Sequence, residues 1–435
     1  MTEFSHFEQQ IQQQDYLIAL SGGLDSSVLL ALFAKLRQKR PRLSLRAIHI
    51  HHGLSPNADQ WLAHCQQYCQ QFSIEFITQH VQVNGKNGIE SSAREARYHA
   101  IARHIRPNET LVTAHHLNDQ SETFLLALKR GSGLKGLSAM QRQSQMTIPL
   151  DHNQEVTFDI LRPLLDLTRS QLEQYALAQK LKWVEDESNQ DNRYDRNFLR
   201  NVILPPLRQR WKHIDQAIAR SAKHCAEQQQ LLNELLQQTF SQYYQPQDHS
   251  FNIADFADCS PIKQRALLRL WLTELQQPMP SLQQLTQLIQ DVVFTRQDAN
   301  PQFQLGKKVI RRYQQRLYLT DLLTDISQWQ SPIQVGQKIT LPDNLGEIII
   351  NAEKTQGFLT AVWGDKCVNL PQTDEQITLR FAYSGKVKFG NHHESMKKIW
   401  QQLGVAPWLR SRIPLIFYGD QFQAALGYFP LNEPK

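Results

Sequence analysis

Short apolar runs alternate with longer amphipathic stretches along the first half of the chain. "DYLIAL" (15–20) precedes "SSVLLALFAKLRQ" (26–38), and "SLRAIHI" (44–50) precedes "ADQWLAHCQQYCQQF" (58–72). "SIEFITQHV" (73–81) precedes "SSAREARYHAIARHI" (91–105), and "TLVTAHH" (110–116) precedes "NDQSETFLLALKR" (118–130). The apolar runs have the length of buried strands, and the stretches after them carry helical spacing. Repeated strand–helix units predict an α/β fold with a doubly wound parallel sheet. Ligands of such sheets bind beyond the carboxyl ends of the strands. Two polar turns, Ser21–Ser27 and His115–Glu122, fall at such ends and are expected to face one pocket.

The texture changes after "ILPPLRQRW" (203–211), where Pro205 and Pro206 are expected to end a helix. Leucine-rich helical segments follow at 225–240, 261–275 and 281–293. Leu231 with Leu235, and Leu232 with Leu236, give an apolar stripe at i, i+4 spacing. This part predicts a small helical domain closed by a basic strand, "KKVIRRYQQRLYL" (307–319). From about Asp325, short strand-like runs separated by Gly, Pro and Asn predict a mixed α+β domain. The expected division is 1–213, 214–324 and 325–435, with no internal repeat.

A chain of 435 residues, 41% hydrophobic and 20% charged, is long enough for two or three globular cores. The N-terminus lacks a secretory pattern and no apolar run approaches membrane-spanning length, so a cytoplasmic protein without a membrane partner is expected. The five cysteines are scattered without a C-x-x-C, which predicts plain thiols and disfavours a disulfide framework or a zinc site. The net charge of +6 is concentrated late. Between Lys366 and Arg412 there are eight Lys or Arg against three Asp or Glu, a surplus suited to a polyanion or simply to a solvated face. Glutamine is interleaved with leucine at helical spacing and reads as helix surface.

The turn "SGGLDSS" interrupts two apolar runs. Glycines let a backbone approach an anion closely, successive N–H groups form a donor nest, and the following helix adds its positive end. Ser21, Ser26 and Ser27 supply hydroxyls. Asp25 would repel bare phosphate, so its natural role is to hold a Mg²⁺ that bridges phosphates. No Gly-Lys-Ser/Thr follows, so this is not a Walker A loop, nor is it G-x-G-x-x-G. Read structurally, it would be a β–α turn capped by Ser26 or Asp25. The complete S-G-G-x-D-S string between two apolar runs resembles the PP-loop ATP pyrophosphatase superfamily. That resemblance implies cleavage of ATP between its α- and β-phosphates, with Ser21, Gly22, Gly23, Leu24, Asp25, Ser26 and Ser27 around the nucleotide.

A second constellation spans Ala114–Met140, "AHHLNDQSETFLLALKRGSGLKGLSAM". Asn118 or Asp119 could cap a helix, with Glu122 completing a capping box. Alternatively Asp119 and Glu122, one helical turn apart, grip an ammonium group or a metal. The glycines of "KRGSGLKGL" allow a mobile loop in which Lys129, Arg130 and Lys135 attract phosphate.

The string H-H-x-x-D-Q-x-E-T before R-G-S-G-x-x-G resembles the tRNA(Ile)-lysidine synthetase family. "HGLSPNAD", "ESSAREARY", "RPLLDLTRSQLEQYA", "LKWVEDESNQDNRYDRNFLRNVILPPL" and "KKIWQQLGVAPWLRSRIPLIF" extend the likeness over nearly the whole chain. The family usually has Asp where this chain has Asn118, and further arginines where it has Ala382 and "GNHH". The resemblance implies ATP and Mg²⁺ as cofactors, with free L-lysine and a tRNA(Ile) bearing a CAU anticodon as partners. Lysine would be joined to C2 of the wobble cytidine after adenylation of that base, and a homodimer is one expected arrangement.

It also implies roles for individual residues. Asp119 and Glu122 position lysine or metal. Arg94 and Arg97, at i, i+3, and Arg196 and Arg200, at i, i+4, neutralise phosphate and RNA charge alongside Asp25. Lys307, Lys308, Arg311, Arg312, Lys397, Lys398, Arg410 and Arg412 are candidates for RNA contact. The tryptophans read as core. Two rivals remain: a PP-loop tRNA thiolation enzyme, for which the persulfide or cluster cysteines are missing, and a non-catalytic tRNA-binding protein with a relic nucleotide fold.

Overall fold

A computed structural model describes residues 5–83, 88–150, 154–296, 299–353, 358–389 and 392–430. The chain divides into two compact units, 1–232 and 233–435. Among the described residues no helix is long and apolar enough to cross a membrane.

The first unit is built on a six-stranded sheet. Helix α1 (Ser5–Gln10) leads into β1 (Asp15–Ala19) and α2 (Leu24–Lys39), then β2 (Ser44–His51) and α3 (Ala58–Gln71), then β3 (Glu75–His80) and α4 (Ile89–His104). β4 (Thr110–Val112) leads to α5 (Leu117–Lys129) and a short α6 (Leu134–Leu137). The hairpin β5 (Gln143–Pro149) and β6 (Glu155–Leu161) precedes α7 (Arg169–Ala178). The strand order is β3-β2-β1-β4-β6-β5, parallel except for β5, which runs antiparallel to β6.

This is the doubly wound sheet that the alternating pattern predicts. Tyr16 and Ile18 of β1 pack into one core with α2, α3 and α7, while Leu17 packs into another with Tyr98, Ile101 and Phe158. A strand buried on both faces has no polar side, which is why "YLI" is apolar throughout. The strand order reverses between β1 and β4. Their carboxyl ends therefore open a crevice, and the two polar turns line it.

From Asp195 to Arg210 the chain is helical throughout: α8 (Asp195–Phe198), a π-helical turn (Leu199–Ile203) and α9 (Leu204–Arg210). Pro205 and Pro206 therefore do not end a helix as expected. They stand in the first turn of α9, directly after the π-helical turn. α10 (Ile214–Tyr243) is a single long helix, and its Leu231, Leu232 and Leu235 are exposed.

In the second unit the expected helical region proves to be helices against a sheet. β7 (Tyr244–Gln245), β8 (Ser250–Asn252), α11 (Pro261–Glu274), α12 (Leu282–Leu288), β9 (Gln302–Leu305), β10 (Lys308–Tyr313) and β11 (Arg316–Asp321) enclose a core around Phe251, Phe256 and Trp271. The basic stretch is thus an antiparallel hairpin, not one strand. Gln314 and Gln315, both at positive φ, make its two-residue turn, for which no glycine signals in the sequence.

The remainder is mostly antiparallel. β12 (Gln330–Ile333), β13 (Lys338–Thr340), β14 (Glu347–Glu353), β15 (Phe358–Trp363), β16 (Lys366–Pro371) and β17 (Ile377–Arg380) come first. The hairpin β18 (Lys386–Phe389) and β19 (His392–Ser395), helices α13 (Met396–Gln402) and α14 (Pro407–Arg410), and strands β20 (Leu415–Tyr418), β21 (Gln421–Ala425) and β22 (Phe429–Pro430) follow. Trp400 is buried in a core cluster, as expected, whereas Trp408 is buried outside the clusters and lines a cavity.

Candidate active site

The turn after β1 is held by its own polar atoms. Ser26 Oγ donates to Gly23 O at 3.0 Å and accepts the Ser21 N–H at 3.2 Å, while Ser27 Oγ donates to Gly22 O at 3.3 Å. The Ser26 and Ser27 hydroxyls, expected to face a ligand, are buried and engaged in shaping the loop. Gly23 is the N-cap of α2 and has no side chain to cap it. The first-turn N–H groups of Leu24, Asp25 and Ser26 thus have no side-chain cap, and they add to the positive end of the helix.

Gly22 is required by geometry. Its φ is +86°, Val184 N–H donates to its carbonyl at 2.9 Å, and an added Cβ would stand 2.9 Å from Cys65 Sγ. Left-handed backbone alone costs an L-residue about 1–2 kcal/mol. Gly22→Ala is expected to lower unfolding free energy by about 2 kcal/mol or more in urea titrations, with loss of nucleotide binding. Cys65 and Cys69 behind the loop are free, and burial pushes both thiols up to about 12, so they are inert packing groups.

Asp25 stands in the first turn of α2 with one oxygen, Oδ1, buried and without a hydrogen-bond partner among the described residues. Its Oδ2 lies 3.6 Å from His116 Nε2, and Asp119 Oδ2 lies 3.5 Å from the same nitrogen. One imidazole therefore joins the two polar turns. The N-cap of α5 is His116 rather than Asn118 or Asp119. Its Nδ1 accepts the Asn118 N–H at 3.2 Å, and Asp119 Oδ2 accepts the His116 N–H at 3.0 Å. That bond needs a lone pair on Nδ1 and leaves the proton on Nε2, between the carboxylates. Burial opposes a second proton on His116; Asp119 and Asp25 outweigh it and lift the pKa above its ordinary value. Charging the ring would forfeit the Asn118 bond.

Glu122 takes no part in capping. It is fully buried, and Arg200 clasps it with two bonds, Nε–Oε1 at 2.7 Å and Nη2–Oε2 at 3.0 Å. Arg200 reaches Asp119 Oδ1 at 3.4 Å as well. Arg196, one helical turn earlier, donates to Thr123 Oγ1 at 3.0 Å and has Nε 3.4 Å from Glu122 Oε2. The i, i+4 pair thus meets the acidic pair on one side of α5. Burial pushes the Glu122 carboxyl upward, and the Arg200 guanidinium draws it back toward the ionised form.

His115 is driven down to about 3 by burial, despite Asp119, with Arg162, Arg97 and Arg196 adding to the depression. Arg94 lies over the Tyr98 ring at 5.0 Å on the same helix as Arg97. Arg162, just beyond the carboxyl end of β6, was not singled out in the sequence. It is buried and donates to Gln141 O and Ser144 Oγ.

Asn118 proves to be a bridging amide. Its Oδ1 accepts the Arg169 N–H at 2.9 Å and its Nδ2 donates to Asp215 Oδ2 at 3.5 Å. Asp215 is buried, accepting Ser121 Oγ and a two-pronged bond from Arg208. A carboxylate at 118 would face another carboxylate and lose a donor. Asn118→Asp is expected to cost about 1–3 kcal/mol in unfolding free energy, read from urea titrations.

The basic candidates fall into distinct settings. Lys129 pairs with Asp195 at 2.6 Å on the surface, and Arg130 and Lys135 are exposed. Lys307, Lys397 and Lys398 are exposed, with Lys398 3.7 Å from Glu394, while Lys308 pairs with Asp321. Arg311 donates to Gln302 and Thr320 side chains; Arg312 ties down the carbonyls of Val293 and Thr295. Arg410 holds Val405 O, and Arg412 is buried against Asp343 and Thr324 O.

Family models match three segments: a PP-loop domain at residues 1–207, a TilS substrate binding domain at 251–318 and a TilS substrate C-terminal domain at 377–434. The chain is 57% identical to the tRNA(Ile)-lysidine synthase of Histophilus somni strain 129Pt, over 95% of this chain and 94% of that one. It is 56% identical to the tRNA(Ile)-lysidine synthase of Haemophilus influenzae strain PittGG over 99% of both. Among solved structures, the U34-tRNA thiolase NcsA of Methanococcus maripaludis is a distant likeness. It shows 16% identity and a TM-score of 0.40, covering 51% of this chain and 77% of that one.

Proposed function

The chain belongs to the tRNA(Ile)-lysidine synthase family of ligases, and from that premise we propose that it joins the ε-amine of free lysine to C2 of the wobble cytidine in a tRNA(Ile) with a CAU anticodon, at the expense of ATP. The observation that carries this reading is the single crevice in which Asp25, His116, Asp119, Glu122 and Arg200 meet beside an uncapped helix N-terminus.

The carbonyl oxygen at C2 of a cytosine is a poor leaving group. Attack of that oxygen on the α-phosphorus of ATP converts it to a phosphate ester and expels pyrophosphate. The nitrogen of lysine then adds at C2, AMP departs with the C–O bond electrons, and the nitrogen sheds its protons. The Gly22–Ser26 backbone and the α2 N-terminus receive the negative charge of the leaving pyrophosphate. Arg196, held beside Glu122 and Thr123, is suited to the charge that builds at the α-phosphorus.

Asp25, whose Oδ1 has no hydrogen-bond partner among the described residues, would hold one Mg²⁺, and such an ion would supply charge neutralisation beside the nucleotide. No group of three or more His, Cys, Asp or Glu side chains that could hold a metal ion occurs among the described residues.

Glu122 is already neutralised by Arg200 and Arg196, so of the two acidic residues Asp119 is the better placed for an incoming ammonium. Arg200 sets the carboxylate of Glu122 and reaches Asp119, which makes it a positioning residue. Pyrophosphate release assayed with tRNA, ATP and lysine tests the reading. Lysine joined to the RNA in step with pyrophosphate supports it; release that requires a sulfur donor, or none at all, overturns it.

A further inference from the structure

A cavity of about 450 Å³ lies in the second unit, walled by the β10–β11 hairpin on one side and the chain from Leu403 to Leu409 on the other. Its walls come from both segments that match substrate domains. Tyr313 and Tyr318 belong to the first, and Trp408 to the second. The three rings form one cluster, with centroids of Tyr313 and Tyr318 at 6.1 and 5.6 Å from that of Trp408. The Arg311 guanidinium stands 5.8 Å from the Trp408 ring centroid.

Gln314 lines the same space from a strained position. It and Gln315 hold φ of +45° and +57°, where a hairpin ordinarily places Asn or Gly. Its side-chain amide donates to Tyr313 Oη at 3.2 Å. Gly404, opposite, has no side chain; an added Cβ there would come within 4.0 Å of the Gln314 amide. An amide offers a donor and an acceptor together, as the edge of a nucleobase requires. Asp248 also lines the cavity, accepting the Ser250 N–H at 3.0 Å, and its carboxylate disfavours a phosphate inside. Cations lie close in the chain on both sides: Lys307 precedes β10, Lys397 is on α13, and Arg410 ends α14.

Resting on the reading of RNA as the substrate, we propose that this cavity takes one unstacked base of the bound tRNA among Tyr313, Tyr318 and Trp408, with Gln314 at its edge. The aromatic wall suits a base, and the two charged side chains that also line the cavity are engaged, Lys308 with Asp321 and Asp248 with the Ser250 N–H. The flanking phosphates remain outside with the lysines and arginines. Its size is that of a small-ligand pocket, about 300–1,000 Å³, and ample for a single base.

The test compares the full-length protein with Tyr313→Ala, Tyr313→Phe and Gln314→Ala in binding an unmodified tRNA transcript across a salt series. Stacking contributes about five- to a hundredfold per base in affinity. Tyr313→Ala should weaken binding by that factor with an unchanged salt slope, and Tyr313→Phe should stay within about twofold of the parent. Ultraviolet cross-linking of the parent protein should join a single nucleotide to a peptide containing Tyr313, Tyr318 or Trp408, which decides the matter even if Tyr313→Ala folds poorly. Parent-like binding by both alanine variants, a loss confined to the salt slope, or cross-links absent from these peptides would overturn the proposal. So would saturation of the cavity by a protein segment instead of RNA. If the parent makes no lysine-containing tRNA at all, the proposed function fails; if it does and the cross-links lie elsewhere, only the base pocket fails.

Discussion

Asp25→Asn is expected to reduce ATP-dependent lysine incorporation about a thousandfold, the scale on which removing one preorganised charge acts in a water-poor site. Fold stability should scarcely change, with the melting temperature within about 2 °C of the parent. The reason is local. Among the described residues Asp25 Oδ1 makes no hydrogen bond, and Oδ2 lies a long 3.6 Å from His116 Nε2. Asn keeps the shape and an acceptor oxygen while losing the charge that a phosphate-bridging cation needs. Calorimetry and single-turnover labelling on the same preparation would separate the two effects. Equal losses of activity and stability would mean that Asp25 is a structural residue of the turn.

Arg200→Met should have the largest effect on the fold. Glu122 is fully buried and Arg200 clasps it, so the substitution leaves a carboxylate whose remaining ion-pair partner among the described residues is Arg196. Breaking one side of a buried pair costs about 3–5 kcal/mol, and the stranded group takes up a proton to reduce that cost. Burial already holds the carboxyl's folded pKa above its unfolded value, and with Arg200 gone it rises further. The protonated form then folds better, and the variant should be less unstable in mild acid than at neutral pH. The double variant Glu122→Gln/Arg200→Met removes both charges and should regain most of the stability without regaining ligation. Chemical denaturation at two pH values checks the first point and an activity assay the second. Recovery of activity in the double variant would show that the pair serves the fold alone.

The sheet and its site were legible because their signals are local. Apolar strand runs, an S-G-G-L-D-S elbow and an acidic pair at helical spacing each sit within a few residues, and the switch point in a doubly wound sheet brings the β1 and β4 ends together. What escaped was set by partners far along the chain. Glu122 reads as the last member of a capping box until Arg200, 78 positions away, is seen to hold it. His116 reads as a polar residue at a strand end, although its ring is the link between Asp25 and Asp119. Asn118 reads as a departure from a family pattern, and only Asp215 explains it. Pro205 and Pro206 look like helix breakers because the π-helical turn before them has no sequence signature. The hairpin within "KKVIRRYQQRLYL" was hidden because two glutamines occupy a turn that glycine or asparagine usually marks.

The central claim is that the glycine–serine elbow holds a pyrophosphate as it leaves while AMP passes to an RNA base. Incubation of the protein with tRNA and ATP labelled on its α-phosphate, without lysine, tests it most directly. The account predicts label on the anticodon wobble cytidine, discharged as AMP when lysine is added, with mass analysis of that nucleoside then showing the lysine adduct. Label that never reaches the RNA, or lysine joined to the RNA without prior transfer of AMP, would contradict it.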